Sequence, residues 1–384
     1  MWYDLVIYTP MYITAFWAVV FLLSPVKKNR AKHFLGLFMV VAFFLYLSHT
    51  LFFKQQFDAY LVMDPVYMFA SLAVYPMYYW YIRLLTVEPS VNYRNLLLLL
   101  PAFVFSVATV FVYLLMKDTE KMEYLNNFLL HRKPVSELSP LVKTQGIVFF
   151  LGRLVFAGQV IYCLVFGRKL VIHYNKRVAN FYSNLEDKTI KWVKYLLYSL
   201  VATSLMSFVF NVIGRSVFIE FSGWLLLPSI IFSVLLFFIG FQGYIQNHSV
   251  VDLAEDEEQY SEHKVENYNK KQLKKKLIDL FLKEKAYKNS DLKITQISSR
   301  LQTNRTYISQ LINNEFECSF SEFVNGYRII EAKRMLASDD FKKYSLNYIS
   351  EEVGFGSLNT FIRVFKDATG VTPGRYRNEC NPLS

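Results

Sequence analysis

Long uncharged runs alternate with short charged segments over residues 1–246. Leu5–Val26, Phe34–Phe53, Leu96–Met116, Tyr195–Gly214 and Phe221–Gln246 contain no Asp, Glu, Lys or Arg. About 20 such residues, rising roughly 1.5 Å each in a helix, cross a hydrocarbon core of about 30 Å. Pro65–Ile82 is slightly short but is extended by Asp64 and Arg83 at its ends, and Ile147–Gly167 is interrupted by Arg153. The pattern predicts seven membrane-spanning helices. Met1-Trp2-Tyr3-Asp4 supplies no basic region ahead of the first apolar run, so that span is expected to stay in the mature chain.

After Asn269 the hydrophobic period becomes that of short amphipathic helices. Lys270–Ala286 sets Leu273, Leu277, Leu280 and Phe281 on one side, with Lys271, Lys274, Lys275 and Lys285 on the others. That lysine cluster suits either phosphate or lipid contact, or a solvated face. Ile294–Leu301 and Asn304–Asn314 follow as two helical patterns around Gln302-Thr303. Ile297 and Leu301 can close an apolar corner with Ile308, Leu311 and Ile312, as in a helix-turn-helix.

With those residues inward, Arg305, Thr306, Ser309 and Gln310 face outward, and all four can bond to base edges or phosphates. A second copy follows. Leu346–Val353 ends at Gly354, Ser357 can cap, and Leu358–Ala368 presents Leu358, Asn359, Ile362 and Arg363 at the same offsets. Between the copies, Ser319–Ser338 reads as a long helix opened by the capping box Ser319-x-x-Glu322, with Phe323, Tyr327, Ile330, Ala332 and Met335 available for packing. A rigid helix of this kind can hold two recognition helices about 34 Å apart, in successive major-groove segments.

Charge supports the same division. Residues 1–246 hold 21 Lys and Arg against 11 acids; residues 247–268 hold one Lys and seven acids; residues 269–384 hold 20 Lys and Arg against 13 acids. The expected organisation is a membrane part (1–246), an acidic linker read as a solvated tether (247–268) and a basic soluble domain (269–384). Basic residues concentrate in the loops at 27–33, 83–94 and 168–194, which places the N-terminus outside the inner (cytoplasmic) membrane and the C-terminal domain in the cytoplasm. The fold class this predicts is all-α: a polytopic seven-helix transmembrane bundle followed by a tandem helix-turn-helix domain.

Within the membrane part, Tyr75, Tyr78, Tyr79, Trp80 and Tyr81 read as an interfacial anchor. Arg153 lies at a depth similar to that of Asp64, and together they are a candidate intramembrane sensory pair; the plainer reading is snorkelling or a stabilising pair. A composition of 53% hydrophobic residues with net charge +11 excludes a disordered or fibrous protein. The cysteines at 163, 318 and 380 and the six histidines show no metal-ligand spacing, and no nucleophile elbow or phosphate loop occurs, so no metal, cofactor or catalytic residue is expected.

Residues from about 269 to 379 resemble the DNA-binding domain of the AraC/XylS family of bacterial transcription regulators. The resemblance is carried by Ile349-Ser-Glu-Glu-Val-Gly-Phe-Gly-Ser357, Phe361-Ile-Arg-Val-Phe-Lys366 and Thr369-Gly-Val-Thr-Pro-Gly-Arg-Tyr-Arg377, and by the helix from Ser319 to Leu336. The whole layout is similar to membrane-anchored regulators of that type. It implies promoter recognition through Arg305, Thr306, Ser309 and Gln310 in the first copy and Ser357, Leu358, Asn359 and Arg363 in the second. Gln302 and Glu317 stand where the family usually has glycine, and Ile362 replaces a small polar residue.

The partners this implies are promoter duplex DNA, membrane lipid, a signal ligand and, as one route to activation, a second copy forming a homodimer. The competing expectation is a seven-span receptor or transporter whose cytoplasmic domain is a protein-interaction module.

Overall fold

The computed structural model describes residues 2–24, 30–87, 93–186, 188–190, 205, 209, 213–246, 250–258 and 270–380. Among them the chain is helical throughout, with no strand beyond one isolated bridge. It divides into two compact units: residues 1–171 with 191–250, and residues 172–190 with 251–384.

The first unit contains α1 (Trp2–Leu22), α2 (Arg30–Phe53), α3 (Phe57–Thr86), α4 (Leu100–Leu115), α5 (Asp118–Glu123), most of α6 (Pro140–Phe181), α7 (Arg215–Glu220) and α8 (Leu226–Ile245). Among the described residues, five helices are long and apolar enough to cross a membrane: Ala31–Phe53, Phe57–Thr86, Tyr93–Leu115, Pro140–Phe181 and Gly223–Ala254. Val6–Leu22 is a shorter apolar helix. The expected span Tyr195–Gly214 lies almost wholly outside the described residues.

Small residues and polar contacts let these helices approach closely. On α8, a Cβ at Gly240 would meet the Trp17 ring of α1 at 2.2 Å, and one at Gly243 would meet Leu35 of α2 at 2.3 Å. Ser106 of α4 donates to the Pro65 carbonyl of α3 at 2.8 Å.

The aromatic run on α3 is buried against protein, where the sequence suggested a headgroup anchor. Trp80 contacts Phe34 at 4.8 Å, Tyr75 contacts Phe156 at 5.2 Å and Tyr79 contacts Tyr162 at 5.4 Å between ring centroids. Consecutive rings point all around a helix, and α3 has neighbours on several sides to receive them.

The second unit contains the end of α6, α9 (Val250–Glu258, except Val250), α10 (Lys270–Leu282), α11 (Ile294–Arg300), α12 (Arg305–Glu315), α13 (Phe320–Ala337), α14 (Leu346–Glu352), α15 (Leu358–Thr369) and α16 (Pro373–Cys380). The first part of the acidic linker is thus helical, with Leu253 buried, and residues 259–269 lie outside the described set.

Residues 172–190, which the sequence grouped with the membrane part, belong to this unit for a physical reason. The Ser183 N–H donates to the Leu292 carbonyl at 3.0 Å, and Tyr182 bridges Lys293 in antiparallel fashion. Asn175 fixes the return of this segment: its side chain accepts from the Ile190 N–H at 2.8 Å and donates to the Ile190 carbonyl at 3.3 Å.

Candidate nucleic-acid interface

Both helix-turn-helices form, and their turns are the same. The Thr303 N–H donates to the Ser298 carbonyl at 2.9 Å, and Phe355 repeats the bond to Ser350 at 2.8 Å. This turn needs a left-handed residue one position earlier, which is Gln302 at φ 55° in the first copy and Gly354 at φ 94° in the second. Glu317 is likewise left-handed, at φ 53°. The two departures from family glycine noted in the sequence therefore stand where the backbone favours glycine.

The corners close as the pattern predicts. Ile297, Leu301, Ile308, Leu311 and Ile312 are buried in the first copy; Ile349, Val353, Phe355, Phe361 and Phe365 form a common core with Ile329, Met335 and Leu336 of α13 in the second. The Ser319 capping box is present, with Ser319 Oγ donating to Glu322 at 2.7 Å and accepting from the Glu322 N–H at 3.3 Å. One packing expectation fails: Ile330 is 67% exposed, and its neighbour Ile329 faces the core. The helical period admits one of two adjacent aliphatic residues to an apolar stripe, and Ile329 shares its stripe with Ala332 and Leu336.

On α12, Thr306 and Gln310 are exposed and Arg305 and Ser309 are half-buried. Asn304 caps the helix by accepting from the Thr306 N–H at 2.6 Å. Arg305 lies over the Phe181 ring at 5.8 Å, and Ser309 accepts from Asn313 at 3.3 Å. Tyr307, which sequence reasoning passed over, is 49% exposed beside them.

On α15, Asn359 and Arg363 are exposed, whereas Leu358 packs against the common core and Ile362 is half-buried. Leu358 follows the cap directly, and its side chain falls over the corner with α14. Ser357 caps the helix by accepting from the Thr360 N–H at 3.3 Å. Its hydroxyl donates at 2.7 Å to Glu186, which also accepts from the Thr360 hydroxyl at 3.1 Å. Asn184 approaches so closely that a Cβ at Gly356 would sit 2.5 Å from its amide nitrogen. The end of α6 therefore lies against the first recognition helix and the segment after it against the second.

Arg328 of α13 escaped the sequence reading. It is 1% exposed, and its guanidinium donates to the Tyr287 carbonyl at 2.8 Å, the Asn289 carbonyl at 2.7 Å and Ser183 Oγ at 3.3 Å. Burial pushes its pKa down to about 10, with Asp291 opposing, so it stays charged at neutral pH. A lone arginine between Val324 and Ile329 was the available signal. Two of the clustered lysines are engaged within the domain: Lys274 pairs with Glu315 at 2.9 Å and Lys285 with Glu331 at 3.1 Å. Lys270 also pairs with Glu315, at 2.8 Å, and the hydrogen bonds from Lys270 and Lys274 hold that carboxyl down at about 2.

Among the membrane-part candidates, Asp64 is 1% exposed and accepts from the Tyr60 hydroxyl at 2.7 Å and the Tyr113 hydroxyl at 2.6 Å. Arg153 stacks on Phe149 at 4.1 Å, and Arg215 lies over the same ring at 5.6 Å. Arg215 Nη1 donates to the Tyr60 hydroxyl at 3.3 Å. The structure thus joins Asp64 to Arg215 through Tyr60. The sequence offered Arg153 as the candidate partner of Asp64 and did not single out Arg215.

Residues 297–379 match a helix-turn-helix domain family. The chain is 38% identical over 90 residues to the HTH-type transcriptional regulator YtdP of Bacillus subtilis, covering 23% of this chain and 11% of that protein. It is 28% identical over 99 residues to the regulatory protein PocR of Salmonella typhimurium, covering 26% of this chain and 32% of that one. The chain therefore spans about a third or less of these relatives. Among solved structures, the C-terminal domain of AraT, a response regulator from Geobacillus stearothermophilus, is similar at 25% identity and a TM-score of 0.24, over 29% of this chain and 84% of that one. Residues 297–379 of this chain thus match a helix-turn-helix domain family and are similar to the corresponding part of these transcription regulators.

Proposed function

We propose that this chain is a membrane-held transcription regulator that reads promoter DNA through both helix-turn-helices and couples that reading to a signal at the membrane. One observation carries the reading: the polypeptide that holds two recognition helices on the common helix α13 also holds, among its described residues, five helices long and apolar enough to cross a bilayer. Arg305, Thr306, Ser309 and Gln310 would contact DNA from α12, and Ser357, Asn359 and Arg363 from α15, with Leu358 confined to a methyl contact at its exposed edge. The seven-span layout of residues 1–246, with the N-terminus outside and residues 269–384 in the cytoplasm, belongs to the same proposal.

The coupling runs through residues 172–190. Glu186 holds the hydroxyls of Ser357 and Thr360 at the N-terminus of α15, where exposed N–H groups and the helix dipole favour a phosphate. A carboxylate there and a DNA phosphate exclude each other. A signal that shifts α6 would lift Glu186 and free the second recognition helix; association of two copies would add a second domain at paired half-sites.

Specific, competitor-resistant binding of residues 251–384 to a promoter duplex tests the reading. Weak, sequence-blind and salt-labile binding would favour a receptor whose cytoplasmic domain binds protein. Reporter fusions after Glu123 and after Gln246 are expected to lie on opposite sides of the membrane.

A further inference from the structure

A cavity of about 140 Å³ opens among α1, α2, α3, α7 and α8 of the first unit. Its walls are mostly aromatic and aliphatic, among them Phe52, Phe53, Tyr67, Phe218, Leu225 and Phe232, and the Arg215 guanidinium lines it. An apolar cavity of about 150 Å³ is known to accept benzene, so the space suits a body of that size.

The chemistry at Arg215 selects the charge of what enters. The guanidinium lies over Phe52 at 4.7 Å, Phe149 at 5.6 Å and Tyr67 at 6.0 Å. Among the described residues its hydrogen-bond partner is the Tyr60 hydroxyl. A guanidinium has five N–H donors, so most of them are left for the cavity. Asp64, the buried carboxylate of this unit, does not meet the need directly: one oxygen accepts from Tyr60 and the other from Tyr113. Arg153, on the other contact of the Phe149 ring, adds a second positive charge to the same neighbourhood. A buried guanidinium that reaches its carboxylate only through a phenol keeps donors for an anion in an apolar surrounding, where a poorly matched charge is costly.

We propose that this cavity is a binding site for a small monocarboxylate with an aromatic or short aliphatic body. The carboxylate forks onto Arg215, the body lies against Phe52, Phe218 and Phe232, and Tyr60 keeps Arg215 joined to Asp64. The assignment deepens and rests on the sensory reading of residues 1–246, since the cavity is lined from the halves of its helices that this topology places towards the outside.

The test uses the full chain in phosphatidylcholine nanodiscs, titrated with benzoate, with its neutral isostere benzamide, and with decanoate as a bilayer-borne carboxylate. Benzoate is expected to bind saturably and at least tenfold more tightly than benzamide. Arg215→Gln is expected to weaken benzoate at least tenfold and to leave benzamide unchanged. Ser229→Phe, which fills the cavity and leaves every charge in place, is expected to remove binding of both. Equal affinity for benzoate and benzamide, benzoate binding unaffected by either substitution, or decanoate binding more tightly than benzoate would overturn the proposal. Binding is read without DNA, so failure of operator recognition would count against the regulator reading alone.

Discussion

Glu186 accepts a hydrogen bond from the hydroxyl of Ser357 at 2.7 Å, across 171 residues of sequence, and so ties the segment that follows α6 to the cap of the second recognition helix. The same oxygen also holds Thr360. If DNA must displace this carboxylate, its charge opposes binding twice: it occupies the cap region and repels the incoming phosphate. Charge-assisted hydrogen bonds contribute about 1.5–3 kcal/mol when shielded and less when exposed, as here. Glu186→Gln is therefore expected to tighten promoter binding by the full chain roughly fivefold, about 1 kcal/mol. Mobility shifts with full chain in nanodiscs check this; unchanged or weaker binding would refute the competition.

Arg305 and Arg363 each present a guanidinium from a recognition helix, Arg305 at the offset of Leu358 and Arg363 at that of Gln310, and they differ in surroundings. Arg363 is exposed, whereas Arg305 rests on Phe181. Replacing either with Ala is expected to weaken specific binding by about 1–3 kcal/mol if the residue reads a base. Equal losses on promoter and random duplex, with a salt slope smaller by about one, would assign it to a phosphate instead.

What could be read from sequence was local. The Asn304 cap, the Ser319 capping box and the left-handed turn at Gly354 depend on residues a few positions apart, and each appears where its short-range rule places it. Contacts between distant segments were not legible. Nothing near Glu186 marks it as a partner of α15, and nothing near Arg215 ties it to Asp64 through Tyr60. Leu358 shows the limit of an offset rule. Its place in the helical repeat matches Arg305, yet it packs partly against the common core, which leaves it only an apolar edge to offer.

Gly354 and Gln302 occupy the same left-handed turn and should tolerate substitution differently. Gln302 shows that a side chain fits the first turn, at a conformational cost of about 1–2 kcal/mol. At Gly354 a Cβ would also meet the Tyr287 carbonyl at 2.5 Å and the Lys288 carbonyl at 2.6 Å, and backbone cannot swing aside as a side-chain tip can. Gly354→Ala is expected to destabilise residues 251–384 by about 3 kcal/mol or more, combining left-handed strain with overpacking. Gln302→Gly is expected to change stability by less than about 1 kcal/mol, because relief of strain is offset by the greater freedom of glycine in the unfolded chain. Calorimetric melting of the two variants compares them directly.

Glu315 fastens α10 to the end of α12 through Lys270 and Lys274, and its carboxyl is held down at about 2 from an ordinary 4.5. A depressed folded-state pKa means that the unfolded chain takes up the proton first as pH falls. The contribution of the ionised group is therefore complete above about pH 4.5 and lost progressively towards pH 2. Glu315 is exposed, so salt should screen the effect. Glu315→Gln is expected to melt below the wild-type domain at pH 6 in low salt, and the gap should close as pH approaches 2 or as salt rises to about 1 M. A gap that persisted at pH 2 would mean that the carboxyl acts through packing or neutral hydrogen bonds, and the charge attraction to Lys270 and Lys274 would then not be what joins α10 to the first recognition helix.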